Sequence, residues 1–202
     1  MSDSVPTSSL KADPMAIARL LRDENGADPK GLPPVHKWNP PFCGDIDMVI
    51  KRNGQWFYLG TPIGRKPLVR MFSTVLRRDE DNEYYLVTPA ERVRIRVEDA
   101  PFLAVLVDRV EEGGESYLRF TTQTDDVVIA SAEHPIWVEY HHGEEPSPYI
   151  HVRDRLHALI SRSVYYQLIA MGEVEQRADQ SVLMVRSAGQ LFEIGHFQEN
   201  EL

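Results

Sequence analysis

The chain has 202 residues, 42 % of them hydrophobic, which is enough core material for one large globular domain or two small ones. Its 22 basic and 31 acidic side chains leave a formal net charge of −9, so the field of the whole protein repels polyanions and argues against bulk nucleic acid or an anionic membrane as partner. The single cysteine, Cys43, excludes an internal disulfide and any all-cysteine metal site, and it suits a reducing cytoplasm.

The opening MSDSVPTSSLKADP carries an acidic residue and no apolar run, so neither a signal peptide nor a transit sequence is expected, and residues 1–13 read as a disordered start. From Pro14, Ile17, Leu20 and Leu21 fall at helical spacing and the run ends at Gly26, the pattern of a short docking helix. A proline-rich connector leads to DIDMVIKRNGQWFYLG. Here Ile46, Met48 and Ile50 alternate with Asp45, Asp47, Val49 and Lys51, the pattern of a half-buried strand, and Asn53-Gly54 predicts a type I′ hairpin turn. Pro67 then suits the first turn of a helix carrying Leu68, Met71, Phe72, Val75 and Leu76 on one stripe, with Arg77 and Arg78 closing it at the negative end of its dipole. EYYLVT and RVRIRV read as two strands.

The texture changes near Glu98-Asp99-Ala100-Pro101, after which strand patterns come in quick succession: FLAVLVDRV, ESYLRFTT, DVVIA, PIWVEY and PYIHV. An amphipathic helix is expected next, with Leu156, Leu159, Ile160, Val164 and Leu168 on its stripe and Arg153, Arg155 and Arg162 around it. A last hairpin turns across Ser187-Ala188-Gly189. Each half therefore reads as hairpin, helix, hairpin, which predicts an α+β fold of two related domains from an internal duplication: residues 14–98 and 99–197, with 198–202 as a tail.

Few residues read as chemistry. Asp45 and Asp47 lie about 6.6 Å apart on one strand face, a spacing that suits two carboxylates flanking a bond, although a solvated edge-strand face explains them more simply. Cys43 lacks an obvious histidine or electropositive partner, so a buried or half-buried inert thiol is the expectation. The histidines between His134 and His157, interspersed with Glu139, Glu144 and Glu145, match no metal-ligand spacing, and no metal site is expected. Nucleophile elbow, phosphate-cradling loop and dinucleotide fingerprint are all absent, so no cofactor and no catalytic residue is assigned. Arg92, Arg94 and Arg96 place three guanidiniums on one strand face, where they either track a polyphosphate or pair with acids of a neighbouring strand. Arg65 and Lys66 precede a helix start, which attracts anions, and Trp38 and Trp56 offer flat surfaces for a base.

The run from His36 to Glu91 resembles the bacterial family described as domain of unknown function 1285. The resemblance rests on Trp38 and Pro40, Asp47-Met48, Gly54 and Trp56, Pro62-Ile63, Leu68-Val69 and the stretch Tyr84 to Pro89, with RDRLHALISRSVYYQLIAMG as a second signature. It implies a duplicated structure whose C-terminal half is pleckstrin-homology-like, a ligand site where the halves meet, a nucleotide-like ligand and a part in signal transduction. On that implication the candidate ligand residues are Trp38 for stacking, Asp47, and Arg65, Arg77, Arg94 and Arg155 for an anionic group. The expected protein is a cytoplasmic, non-enzymatic ligand binder, with a hydrolase of a nucleotide-like substrate or a protein-interaction module as the other readings.

Overall fold

The computed structural model describes residues 32–140, 145–177 and 180–197. The helix expected from Pro14, the polar termini and His141, His142 and Glu144 lie outside the described residues. Within them the fold is mostly β, with fifteen strands and two α-helices. No helix among the described residues is long and apolar enough to cross a membrane. The chain divides into two compact units. Of the described residues, the first is built of those up to Val49 with Phe57–Arg96, and the second of Ile50–Trp56 with those from Val97 onward.

The first six strands are β1 (Phe42–Ile50), β2 (Trp56–Tyr58), β3 (Thr61–Pro62), β4 (Leu76–Arg78), β5 (Tyr84–Val87) and β6 (Arg92–Val97), which form one sheet in the order β3-β2-β1-β6-β5-β4. The alternation of β1 is realised: Ile46, Met48 and Ile50 are buried and Asp45 and Asp47 exposed, whereas Cys43, expected to be buried or half-buried, is exposed near the start of the strand, ahead of the residues that alternate. Likewise Val93 and Ile95 are buried while the arginines between them are not. The turn between β1 and β2 differs from expectation. Only Gly54 has a positive φ, of 80°, and the bonds Gly54 N–H to Lys51 O (2.8 Å) and Lys51 N–H to Gln55 O (2.9 Å) close a three-residue loop in which a glycine bulge follows an ordinary turn. The I′ geometry falls instead at Leu59-Gly60, with φ of 48° and 73°, between Tyr58 and Thr61 of β2 and β3.

Helix α1 spans Lys66–Thr74 with Pro67 in its first turn and Phe72 and Ser73 buried. It stops before the expected closing arginines. Ser73 and Thr74 donate their hydroxyls to the carbonyls of Arg70 and Met71 (2.7 Å each), offering the last turn an alternative to helical bonding, and Leu76, Arg77 and Arg78 pair with Leu86, Tyr85 and Tyr84 as strand β4.

The second sheet consists of β7 (Phe102–Glu112), β8 (Glu115–Thr122), β9 (Val127–Ile129), β10 (Ile136–Glu139), β11 (Ser147–Arg153) and β12 (Leu156–Ile160), in the order β10-β11-β12-β7-β8-β9. Helix α2 is Arg162–Met171, and β13 (Glu173–Arg177), β14 (Gln180–Ser187) and β15 (Gln190–Phe197) make a three-stranded sheet. The long helix expected from Arg153 is thus two elements. Leu156, Ala158, Leu159 and Ile160 are buried in a strand flanked on both sides, and the helix begins only after Ser161, with Val164 and Leu168 on its inner side. A short apolar run buried on both faces carries no period that separates strand from helix.

Read from opposite ends, the two six-stranded sheets have one order: the sixth strand lies beside the first, with a three-strand meander on either side. β12 and β7 run parallel, with Ala158 opposite Phe102 and Ile160 opposite Ala104. β6 and β1 do the same, because Arg94 meets Asp45 and Arg96 meets Asp47, so both strands advance together. The repeated pattern is therefore six strands rather than the expected hairpin, helix, hairpin: α1 lies between the third and fourth strands of its sheet, whereas α2 follows the sixth.

Candidate functional site

In the first unit, the arginine stripe and the carboxylate pair answer each other. Arg94 grips Asp45 with two bonds, Nε to Oδ1 at 2.7 Å and Nη2 to Oδ2 at 3.0 Å, and Arg96 Nη2 lies 3.2 Å from Asp47 Oδ1. These residues and Glu83 line one shallow depression. The hydrogen bond from Arg94 and its charge hold the Asp45 carboxyl below its ordinary value. Arg92 turns to Asp79 at 2.7 Å and lies over the Tyr85 ring. Across β1 and β6 the guanidiniums of Arg94 and Arg96 are each matched by one carboxylate, which is a strand-pairing device before it is an anion site.

Arg77 is engaged in the same unit. Its Nε and Nη2 bind Asp79 (2.5 and 3.1 Å), and Nη1 donates to the carbonyls of Val35 and Trp38 (2.8 and 2.7 Å). It thereby clamps the 3-10 turn Val35–Lys37 to β4, which brings Trp38 and Arg77 together through a backbone carbonyl rather than around a ligand. Arg65 stands exposed at the N-cap of α1, its carbonyl accepting from Leu68 and Val69. Arg155 belongs to the second unit, exposed in the turn between β11 and β12. The six residues drawn from the sequence do not assemble as one site within either unit.

The second unit contains a cavity of about 610 Å³ that sequence reading missed. Four segments supply it: Arg52 and Asn53 from the loop after β1, Leu103 of β7, Glu145 to Pro148 before and in β11, and Leu159 to Tyr166 across the end of β12 and the first turns of α2. Leu103, Pro146, Pro148, Leu159 and Ile160 give it apolar walls, with Tyr165 and Tyr166 beside them. Tyr165 donates its hydroxyl to Ile194 O (2.6 Å), and burial pushes that hydroxyl up to about 12. Two arginines stand on the rim, in different settings. Arg52 is tethered to Asp99, to Ser147 Oγ at 2.8 Å and, through its backbone N–H, to Glu98, while Asp99 also accepts from Tyr149 at 2.7 Å. Among the described residues Arg162 pairs with Glu145, at side-chain exposures of 63 % and 73 %. No single stretch of sequence carries the signal, because residues up to 114 positions apart (166 − 52) contribute to one wall set.

Of the described histidines between His134 and His157, His157 packs edge-on against Trp137 and Tyr149, and His134 meets His151.

A family model described as Domain of unknown function (DUF1285), N-terminal domain, matches residues 33–100, and one described as Protein of unknown function (DUF1285), C-terminal domain, matches residues 101–194. The chain belongs to the DUF1285 family, as the run from His36 to Glu91 led us to expect. Among solved structures it is similar to a DUF1285 family protein from Silicibacter pomeroyi DSS-3, at 45 % identity over 90 % of this chain and 96 % of that one, with a TM-score of 0.76. A DUF1285 family protein from Shewanella baltica OS155 shares 28 % identity over 62 % of this chain and 91 % of that one, with a TM-score of 0.49. No curated protein matches the chain.

Proposed function

We propose that this chain is a ligand-binding protein without catalytic machinery of its own, and that a nucleotide-like small molecule occupies the cavity at the start of α2. The observation that carries the reading is Arg162. It stands on the rim of an apolar-walled cavity with a solvated Glu145 as its partner, and an exposed ion pair of this kind is worth at most about 1 kcal/mol, so an anionic group displaces the carboxylate at little cost. Tyr166, 60 % exposed on the same helix, offers a ring face to a flat heterocycle. Arg52 is suited to shaping the wall rather than to exchange, because Asp99, Ser147 and Glu98 hold it.

Less supports a hydrolase. Asp45 and Asp47 each face an arginine, and a carboxyl held below its ordinary value is a weaker base. An interaction module has one observation behind it: β13 is an edge strand with every residue from Glu173 to Arg177 exposed, a form open to pairing with a partner strand. A signalling role, a cytoplasmic setting suggested by the single cysteine, a pleckstrin-homology-like second half and descent of both halves by duplication complete the reading, the last favoured by the shared strand order.

The test is thermal unfolding against a panel of nucleotides, dinucleotides and cyclic dinucleotides. Ligand at about 100 times its Kd adds roughly 2.7 kcal/mol of stability. A dose-dependent rise in Tm that Arg162→Ala and Tyr166→Ala abolish while leaving the ligand-free Tm unchanged supports the cavity; a rise that both variants keep refutes it.

A further inference from the structure

We propose that His134 and His151 form a two-histidine site for a divalent transition cation, with zinc as the probe. The site is independent of the cavity. His134 sits on the bend before β10, where its backbone N–H lies 3.1 Å from the carbonyl and 3.3 Å from the hydroxyl of Ser131, and Ser131 N–H returns a bond to His134 O at 3.1 Å. His151 lies on β11 with its N–H on Pro135 O at 3.0 Å. Both imidazoles are therefore carried on hydrogen-bonded backbone, and both are half-buried, with a side open to solvent.

Two features of the pair suit a cation. The Nδ1 atoms are 3.2 Å apart, with ring centres at 5.3 Å and planes 21° from parallel, so the nitrogens face one another nearly edge to edge. Zinc binds imidazole nitrogen at about 2.0–2.1 Å, which puts two such ligands of a tetrahedral ion about 3.4 Å apart. The second feature fixes the proton. His151 Nε2 lies 2.8 Å from Asp154 O, and a carbonyl only accepts, so Nε2 carries the hydrogen and Nδ1 of the neutral ring keeps its lone pair. A backbone carbonyl on the far ring nitrogen is the usual orienting contact of a metal-bound histidine.

Without metal, His134 Nδ1–H donates to His151 Nδ1. On binding, the His134 proton moves through solvent to its own Nε2, freeing the second Nδ1 lone pair, and the cation takes the place of the shared hydrogen with no net change in protonation. Among the described residues no cluster of three His, Cys, Asp or Glu forms here, so water completes the coordination and the site exchanges its ion readily. The bound ion ties the Ser131–Pro135 bend to β11.

The experiment follows the histidine ring nitrogens of the full chain by two-dimensional 1H–15N NMR during titration with zinc chloride, alongside thermal unfolding with and without zinc. The expected result is that Nδ1 of His134 and of His151 shift together and saturate at one ion per chain, that Tm rises, and that His134→Ala and His151→Ala each remove the rise. Shifts confined to other histidines, His141 and His142 included, or a Tm rise retained by either variant, overturn the proposal. The ring spectra of the unsubstituted chain decide the question even where a variant fails to fold.

Discussion

Arg153 and Asp126 are each only 16 % exposed, and their contact is reinforced on both sides: Asp126 accepts from Thr124 Oγ1 at 2.7 Å and Thr122 Oγ1 at 3.2 Å, and Arg153 lies over the Phe102 ring at 4.8 Å. Removing one member of such a pair leaves the other charge in a low-dielectric setting, so Asp126→Ala is expected to cost about 3 kcal/mol. Arg96→Ala removes a superficially similar pair whose arginine side chain is 74 % exposed, and its cost is expected to stay within about 0.5 kcal/mol. Urea unfolding midpoints at constant m-value check both. The ionisable groups also set a pH window. Burial first, and then its hydrogen bond to Asp99, pushes Tyr149 up to about 12; the bond to Asp81 does the same for Tyr85. In the unfolded chain a tyrosine titrates near 10, so their stabilisation is complete below about pH 10 and is lost as pH rises toward 12. Asp45 works in the opposite direction: its folded value is depressed, so its small contribution is present above about pH 4 and disappears as pH falls through the folded value. Stability measured against pH, with tyrosinate absorbance followed in parallel, is expected to drop between pH 10 and 12. The sequence disclosed which faces Asp45, Asp47, Arg94 and Arg96 occupy, since alternation is local; it did not disclose that they face each other, because two strands 49 positions apart had first to pair in parallel.

The same limit holds for whole elements. Asn53-Gly54 has the composition of an I′ turn but adopts a three-residue loop, while Leu59-Gly60 has the I′ geometry with an exposed leucine at a φ of 48°. A leucine in the left-handed region costs about 1–2 kcal/mol, so Leu59→Asn is expected to stabilise the protein by about 1 kcal/mol. Gly54→Ala is expected to do the reverse, because a Cβ there stands 3.0 Å from Leu103 Cβ in addition to the cost of a φ of 80°. Thermal unfolding of the two variants checks the contrast. For Leu156–Ile160 the decisive fact was the partner on each side: with β11 and β7 both in place, a run that reads equally as helix becomes a central strand.

At the scale of the molecule, the second unit is discontinuous. The described residues from Val97 onward group with Ile50–Trp56, whose Lys51 and Arg52 bind Glu98 at 2.6 and 3.1 Å and whose Ile50 carbonyl accepts from Glu98 N–H at 3.0 Å. A fragment of 97–202 alone loses these bonds together with the buried side chains of Ile50 and Trp56, for which burial contributes about 1.5–3 kcal/mol each, so it is expected to be less stable than a fragment supplied with the 50–56 peptide. Equal urea midpoints with and without the peptide contradict this. By itself the sequence determined the strand-rich texture, the buried faces of β1 and β6, the change of texture near residue 98 and the family, because periodicity and motif are properties of neighbours along the chain. Only the tertiary structure decided that carboxylates neutralise the arginine stripe, that Arg77 serves as a clamp, that two histidines meet across a bend, and that four distant segments enclose a cavity. Those facts depend on which strands pair after long loops close, and side-chain spacing along one strand carries no record of its partner.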